Sequence, residues 1–341
     1  MRVLDFLDLI RNRYLSTEDC LKPMDLAKKV QYLTLDVIST VGLGNSFGML
    51  KADKDVNDYI KSGEEGLWVS NFLMGTGLHW IMQIEWVGRL LGPSTDDLKG
   101  FGKMMATTGQ MVAKRLQSPT NARSDMLASF IRHGLIGNEL WMEAFEQVLA
   151  GSDTTASGIR GILLCLLSNP RVYKKLQAEI DGAVQDGRAP STGIISDAQL
   201  RRLEYLQAVI REGLRIFVPV VNIFARDVPP EGDEVIVDGE SVQIPGGTWI
   251  GYSALGMHLN KATYGEDAEV FRPERWLIDD KDHLANMTRV NDLIFGYGRW
   301  KCLGQTVALI EIGKTIFEVH DELPLLNIVG LDILTVLEGA A

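Results

Sequence analysis

The sequence predicts a mainly α-helical protein with small β-sheets. Apolar residues recur with the helical period through much of the 341-residue chain, most clearly in 25–41, 100–117 and 138–168. The clearest β pattern is short: apolar residues at 235–237 and at 242 and 244 flank Asp238-Gly239, a pair typical of a tight hairpin turn. A third short strand is expected at 248–252.

Composition narrows the class of protein. The chain is 46% hydrophobic and 23% charged, as expected for a globular protein with a sizeable core. Its net charge of −11 argues against nucleic acid as a partner. The three cysteines, Cys20, Cys165 and Cys302, lie far apart and are odd in number, which favours a reducing compartment and one specialised thiol over a disulfide framework. No run of eighteen apolar residues predicts a transmembrane helix.

The first two helices raise two questions. Residues 1–14 have helical periodicity without a start signal, which suggests that an upstream portion is missing. The second helix, 25–41, is followed by Gly44-Asn45-Ser46-Phe47-Gly48, which matches the nucleophile elbow of serine hydrolases. That elbow requires a strand before Ser46, and 35–41 is compatible with one. A serine hydrolase and a glycine-rich helix stop therefore both stay open.

An aromatic segment follows in residues 68–91. Aromatic residues at helical spacing usually belong to a core, although a minority can line a pocket. After another helix at 100–117, Ser118-Pro119-Thr120-Asn121 is expected to form a loop.

A long helix is predicted for 138–168, and its centre is unusual. The run from Ala150 to Thr155 places Gly151, Ser152, Asp153 and two threonines in a helix interior, at a propensity cost of about 1–2 kcal/mol. Threonine hydroxyls there compete for backbone carbonyls and can bend the helix. Either these helix-disfavouring residues serve a function, or Ser152 or Asp153 caps a new helix.

Two charged residues near the end of a later helix are predicted to be buried. A capping box at Ser196 and Gln199 begins an amphipathic helix that continues through Leu214. Glu212 and Arg215 lie three residues apart, on one face, in a strongly apolar context. That context favours a buried ion pair over a surface pair.

The most informative stretch is Phe295-Gly296-Tyr297-Gly298-Arg299-Trp300-Lys301-Cys302-Leu303-Gly304. Its glycines allow tight folding and close approach to a bulky flat group. Cys302 precedes an apolar helical segment, 306–319, whose N-terminal N–H groups favour a thiolate. A thiolate on such a loop is suited to ligating a haem iron. The alternative is that Cys302 is a buried, inert cysteine.

This loop closely resembles the haem-binding loop of the cytochrome P-450 family of haem–thiolate monooxygenases. The resemblance makes Phe295, Gly298 and Gly304 haem-loop positions and Cys302 the axial ligand of the iron. The family usually has Arg or His two residues before the cysteine, where it reaches a haem propionate. This chain has Trp300 there, with Arg299 beside it as the candidate haem contact.

The centre of helix 138–168 resembles the oxygen-activation motif of the same family. By that resemblance, Asp153 and Thr154 form the acid–alcohol pair that delivers protons to dioxygen through water. Ala150 and Gly151 leave room for the oxygen molecule.

A further resemblance concerns structural residues. Glu212 and Arg215 match the E-x-x-R motif of the family, and Phe271-Arg272-Pro273-Glu274-Arg275-Trp276 resembles the segment that supplies a second arginine, Arg275. These three residues are expected to form a buried triad that stabilises the fold. After Arg215, the segment 218–222 corresponds to the distal haem face. Other residues implied by the resemblance are Val220 and Val221 as substrate contacts and Arg226 as a propionate partner.

The resemblance covers residues 1–319 and implies a cytochrome P-450 fold lacking its N-terminal part, followed by a divergent tail at 320–341. It implies haem b as cofactor, dioxygen as oxidant and NADPH-cytochrome P-450 reductase as electron donor. The substrate would be an apolar small molecule, in the manner of fungal secondary metabolism. The family is found on the cytosolic face of the endoplasmic reticulum membrane; without an anchor the chain would be cytosolic. The alternatives are a family remnant without productive haem binding and, third, a serine hydrolase using Ser46.

Overall fold

The computed structural model describes residues 2–17, 20–117, 124–221 and 225–322. The predicted loop at 118–121 and nearly all of the tail at 320–341 lie outside these ranges. The chain forms two compact units. The first comprises 1–156 together with 322–341, and the second comprises 157–321.

The first unit is helical. Its helices are α1 (Arg2–Leu9), α2 (Leu26–Leu43), α3 (Met49–Ala52), α4 (Tyr59–Gly75), α5 (Glu85–Leu91), α6 (Gly100–Leu116), α7 (Met126–Arg132) and the first part of α8 (Gly137–Ser168). A π-helical turn at Ile10–Tyr14 and 3-10 turns at Val56–Asp58 and Leu78–Gln83 connect them. Helix α2 is its most buried long element: Asp25 caps its start, accepting from Lys28 N, and Val30 and Leu33 are fully buried.

The turn after α2 excludes the nucleophile elbow. Residues 35–41 are helical, whereas a serine hydrolase would need a strand before Ser46. The serine-hydrolase interpretation is therefore wrong. The helix ends where Gly44 adopts a left-handed conformation (φ +71°). The buried carboxylate of Asp36 then accepts hydrogen bonds from the N–H groups of Gly48, Met49 and Leu50. The glycine-rich segment is therefore a helix stop followed by the capped start of α3.

The aromatic segment is not core, contrary to the prediction. Trp68, Phe72, Trp80 and Trp86 each expose more than half of their surface. The reason lies in the packing of α4 against α6: a Cβ at Gly66 would lie 2.6 Å from the Phe101 ring, and Gly63 faces Met104. Helix α6 thus covers the small-residue face of α4, which leaves its aromatic residues on other faces.

The second unit contains the end of α8, seven further helices and four short strands within its described residues. The helices are α9 (Pro170–Gln185), α10 (Asp197–Leu200), α11 (Glu204–Ile216), α12 (Ala254–His258), α13 (Lys261–Tyr264), α14 (Lys281–Asn291) and α15 (Gln305–Glu322), with 3-10 turns at Pro273–Trp276, Asp292–Phe295 and Gly298–Trp300. A core cluster in this unit consists of Ala208, Tyr264, Ala268, Trp276 and Met287.

The helix predicted from the capping box through Leu214 is two helices. The capping box is confirmed, with Ser196 and Gln199 each bonded to the other's backbone N–H. Helix α10 then ends at Leu200, and α11 begins at Glu204. The carboxylate of Glu179, on α9, accepts hydrogen bonds of 2.8 Å from the N–H groups of Tyr205 and Leu206. A side chain distant in sequence therefore provides the cap that allows a second helix to start here.

The strands are β1 (Arg226–Asp227), β2 (Asp233–Val237), β3 (Glu240–Ile244) and β4 (Trp249–Ile250). The predicted hairpin is confirmed: β2 pairs antiparallel with β3, with Val235 opposite Val242, and Asp238 and Gly239 both have positive φ. Strand β4 does not extend this hairpin. It pairs with β1 and places Arg226 opposite Ile250.

None of the helices within the described ranges combines the length and apolar character needed to cross a lipid bilayer.

Candidate functional site

The loop from Phe295 to Gly304 is closed by its own backbone. The N–H of Cys302 donates to the carbonyl of Phe295 at 2.7 Å. Gly296 and Gly298 have φ of +71° and +60°, a left-handed conformation that favours glycine. A Cβ at Gly296 would also lie 2.9 Å from the carbonyl oxygen of Trp300. Sequence-local chemistry therefore dictates the shape of the loop.

The loop presents its thiol to solvent. Cys302 is exposed, three residues before α15 begins. A Cβ at Gly304 would lie 3.9 Å from the sulfur, so glycine leaves that side of the thiol open. Cys165 in the same unit is the opposite case, because burial raises the pKa of its thiol to about 12. Of these two cysteines, only Cys302 is placed to act as a ligand.

Strands β1 and β4 bring an arginine to the loop. The Tyr252 hydroxyl, just after β4, donates to the carbonyl of Leu293 at 2.9 Å. Arg226, on β1, places its guanidinium carbon 4.8 Å from the centroid of the Trp300 ring, and Arg299 places its own at 5.0 Å. The structure thus brings the predicted propionate partner Arg226 and the candidate haem contact Arg299 to the same indole ring.

Glu212, Arg215 and Arg275 lie together and are buried. Glu212 accepts hydrogen bonds from Arg215 Nη2 at 2.7 Å, Arg215 Nε at 2.8 Å and Arg275 Nε at 3.3 Å. All three side chains are at most 1% exposed. Two further donors reach the same carboxylate: the Trp276 indole N–H at 2.9 Å and the backbone N–H of Arg272 at 3.0 Å. The charge of Glu212 is thereby fully hydrogen-bonded.

The remaining donors of the two arginines reach backbone carbonyls and one further carboxylate. Arg215 Nη1 donates to the carbonyl of His258 at 2.7 Å, and Arg275 Nη1 donates to Asp267 Oδ1 at 3.0 Å. Burial alone would raise the pKa of Asp267, but its hydrogen bond to Arg275 and the positive charges nearby outweigh burial and lower that pKa. The roles of Trp276 and Asp267 in this network were not predicted from the sequence. A buried indole N–H needs an acceptor, so the position of Trp276 next to Arg275 could have predicted its bond to Glu212.

The motif in α8 lies in an unbroken helix. The helix continues from Gly137 to Ser168, so a new helix start at Ser152 or Asp153 is wrong. The Thr154 hydroxyl donates to the carbonyl of Ala150 at 2.8 Å. Asp153 is exposed within the first unit and accepts a hydrogen bond of 3.3 Å from the side-chain amide of Gln31.

The glycine of this motif marks a close helix contact within the first unit. A Cβ at Gly151 would lie 2.8 Å from Ile38 on α2, so glycine allows this close approach. In the second unit, the two candidate substrate contacts differ in exposure. Val220 is half-buried and Val221 is 51% exposed.

Comparisons with known proteins identify the class. The cytochrome P450 family model matches residues 5–319. The chain therefore belongs to the cytochrome P450 family, and its mainly helical structure with small antiparallel sheets is that of the family fold.

Three relatives illustrate the similarity. The chain is 40% identical to cytochrome P450 monooxygenase ABA1 of Pyricularia oryzae, with 92% of this chain and 61% of that protein covered. It is 37% identical to cytochrome P450 monooxygenase aba1 of Botryotinia fuckeliana, with the same coverage. Pisatin demethylase of Fusarium vanettenii is 30% identical, with 87% of this chain and 56% of that protein covered. The chain spans about three fifths of the length of the first two of these relatives.

The residues of the loop fit the haem that this family implies. An accessible thiol supplies a soft ligand for iron, glycines at 296, 298 and 304 remove side chains around it, and the guanidinium groups of Arg226 and Arg299, which can bind carboxylates, lie at the Trp300 ring. In this chain, Cys302 would hold the haem iron, and Arg226 and Arg299 would hold the haem carboxylates.

Proposed function

We propose that this chain is a haem-dependent monooxygenase that inserts one oxygen atom of dioxygen into an apolar small molecule. The observation that carries the proposal is the exposed Cys302 thiol on a loop closed by the hydrogen bond from Cys302 N–H to the Phe295 carbonyl. Haem b, when bound, supplies the oxygen-activating chemistry, and a thiolate ligand favours O–O cleavage. NADPH-cytochrome P-450 reductase would supply the electrons, by family resemblance.

The other residues take roles that their surroundings support. Asp153 and Thr154 would hold and move protons. The Asp153 carboxylate is exposed, and the Thr154 hydroxyl donates a hydrogen bond of 2.8 Å to the Ala150 carbonyl. Ala150 would leave space for dioxygen, whereas the space beside Gly151 is filled by Ile38. Arg226 and Arg299 would pair with the haem carboxylates.

Three further roles are structural or concern the substrate. Glu212, Arg215 and Arg275 would stabilise the fold, in keeping with their burial and their full set of hydrogen bonds. Val220 and Val221 would contact substrate. We also propose that residues 1–319 act as one haem–thiolate domain.

The first unit, taken by itself, carries an open pocket of about 1020 Å³, which is large enough for an apolar small molecule. Its wall includes Trp68, Val69, Leu73, Met82 and Phe101. Pockets for small molecules are of this order of size and are mostly lined by apolar side chains. The similarity to fungal monooxygenases supports a substrate from secondary metabolism, and the family resemblance supports a location at the cytosolic face of the endoplasmic reticulum.

Carbon monoxide difference spectroscopy tests the proposal. We expect the purified, haem-loaded and reduced protein to show the long-wavelength band of thiolate-ligated iron. Cys302→Ser should abolish this band, because a hydroxyl replaces the thiolate. Cys165→Ser is the matched control and should keep it, because Cys165 is buried and protonated. A wild-type protein without the band would refute the proposal.

One observation favours a second candidate, a family member without productive haem binding. Trp300 stands where the family usually carries a basic residue that reaches a haem propionate. Haem stoichiometry after expression with excess haem precursor distinguishes the two candidates. About one haem per chain supports the monooxygenase, and a stoichiometry near zero supports the alternative.

A further inference from the structure

The loop concentrates positive charge at one place in an acidic protein. The chain carries a net charge of −11, yet Arg226 and Arg299 place their guanidinium carbons 4.8 and 5.0 Å from the centroid of the same Trp300 ring. Since both distances are measured from one point, the two carbons are at most about 10 Å apart. Within the described ranges, no carboxylate forms an ion pair with Arg299.

The two arginines come from different parts of the unit. Arg299 precedes Trp300 in the chain, whereas Arg226 reaches the ring because β1 pairs with β4. The bond from Tyr252 to the Leu293 carbonyl ties the segment after β4 to the residue two positions before Phe295. This arrangement is a product of tertiary structure.

The indole ring of Trp300 restrains the flexible side chains of Arg226 and Arg299. A cation within about 6 Å of a Trp centroid is attracted by the negative face of the ring. Arginine side chains lose rotamer freedom when they bind a ligand, and restraining them before the ligand arrives lowers that entropic cost. Trp300 is 59% exposed, so burial in a core does not account for the ring.

We propose that Trp300 is a positioning residue that orients Arg226 and Arg299 to hold the two carboxylates of haem. A basic residue at position 300 would contribute one charge of its own. Trp300 contributes no charge and instead holds two neighbouring charges in place. The inference rests on the proposed function, because haem is the ligand.

Haem titration of the apoprotein, followed at the Soret band, tests the role of the ring. We expect Trp300→Ala to weaken haem binding about tenfold or more and to speed haem transfer to apomyoglobin by a similar factor. Trp300→Phe keeps an aromatic face and should stay within about threefold of wild type. Trp80→Ala is the control: it removes another exposed tryptophan, 56% exposed and outside the loop, and should change affinity less than twofold.

The dimethyl ester of haem isolates the carboxylates, because it keeps the porphyrin and iron but lacks the negative charges. Wild type and Trp300→Ala should bind the ester equally well. Equal haem affinity of wild type and Trp300→Ala would overturn the inference. So would an equal loss for haem and for the ester, because the ring would then support only the loop.

Failure of the proposed function has a different signature. A wild-type protein that binds neither haem nor the ester would overturn both proposals. A wild-type protein with the carbon monoxide band, and a Trp300→Ala variant with unchanged haem affinity, would overturn the positioning role alone.

Discussion

The carboxylate of Glu212 offers the most direct test of how the second unit is held together. Its two oxygens are fully buried and accept five hydrogen bonds, two of them from Arg215 and one from Arg275. Glu212→Gln preserves the size and shape of the side chain. It removes the negative charge and replaces one acceptor oxygen with a donor group.

The cost follows from the placement of the donors. Oε2 accepts from Arg215 Nε and the Trp276 indole, and Oε1 accepts from Arg215 Nη2, Arg275 Nε and the Arg272 N–H. Whichever oxygen becomes the amide nitrogen, at least two donors lose their acceptor and face another donor. Two buried guanidinium groups also lose their neutralising charge. Breaking a buried ion pair in this way costs about 3–5 kcal/mol.

Urea unfolding at pH 7, followed by circular dichroism, measures this loss. Domains are typically stable by about 5–15 kcal/mol, so a loss of this size shifts the midpoint strongly or prevents folding. The control is Glu266→Gln, the same substitution in the same unit. Glu266 is 90% exposed and pairs with Lys261 at 3.1 Å, so its loss should cost less than about 1 kcal/mol. Equal midpoints for the two variants would refute the reasoning.

Two further predictions concern stability. His258 and His320 are buried, and burial lowers the pKa of each from 6.5 to about 4, so folded protein resists the protonation that unfolded protein accepts. The contribution of each histidine to stability should therefore fall by up to about 3 kcal/mol as pH drops from about 6.5 to 4. Burial raises the pKa of the Glu311 carboxyl, which acts in the opposite direction, so the test compares variants: His320→Phe should lose less stability than wild type over this range in urea titrations. An equal loss in both would contradict the assignment. Gly213→Ala places a Cβ 2.4 Å from Ile162 and should destabilise by about 1–3 kcal/mol, whereas Gly182→Ala meets no atom within 4 Å and should stabilise by about 0.5–1 kcal/mol. Thermal unfolding of both variants checks the opposite signs, and shifts in the same direction would count against the packing argument.

Local signals in the sequence determined several features. The hairpin follows from Asp238-Gly239, because both residues accept the positive φ of its turn. The loop around Cys302 follows from the glycines before it, and the start of α10 follows from Ser196 and Gln199. Each of these is decided within a few residues of the chain, so the pattern alone was sufficient.

Tertiary structure decided what depends on a partner distant in the chain. The spacing of apolar residues in 68–91 indicated faces that could be buried. It did not indicate that α6 would cover the glycine face of α4 and leave the aromatic residues exposed. The helix through Leu214 divides where Glu179, from another helix, caps a new start. Arg226 meets Trp300 only because β1 pairs with β4. Propensity acts over neighbouring residues, whereas burial and charge pairing depend on which surfaces meet, and that is settled only when the chain has folded.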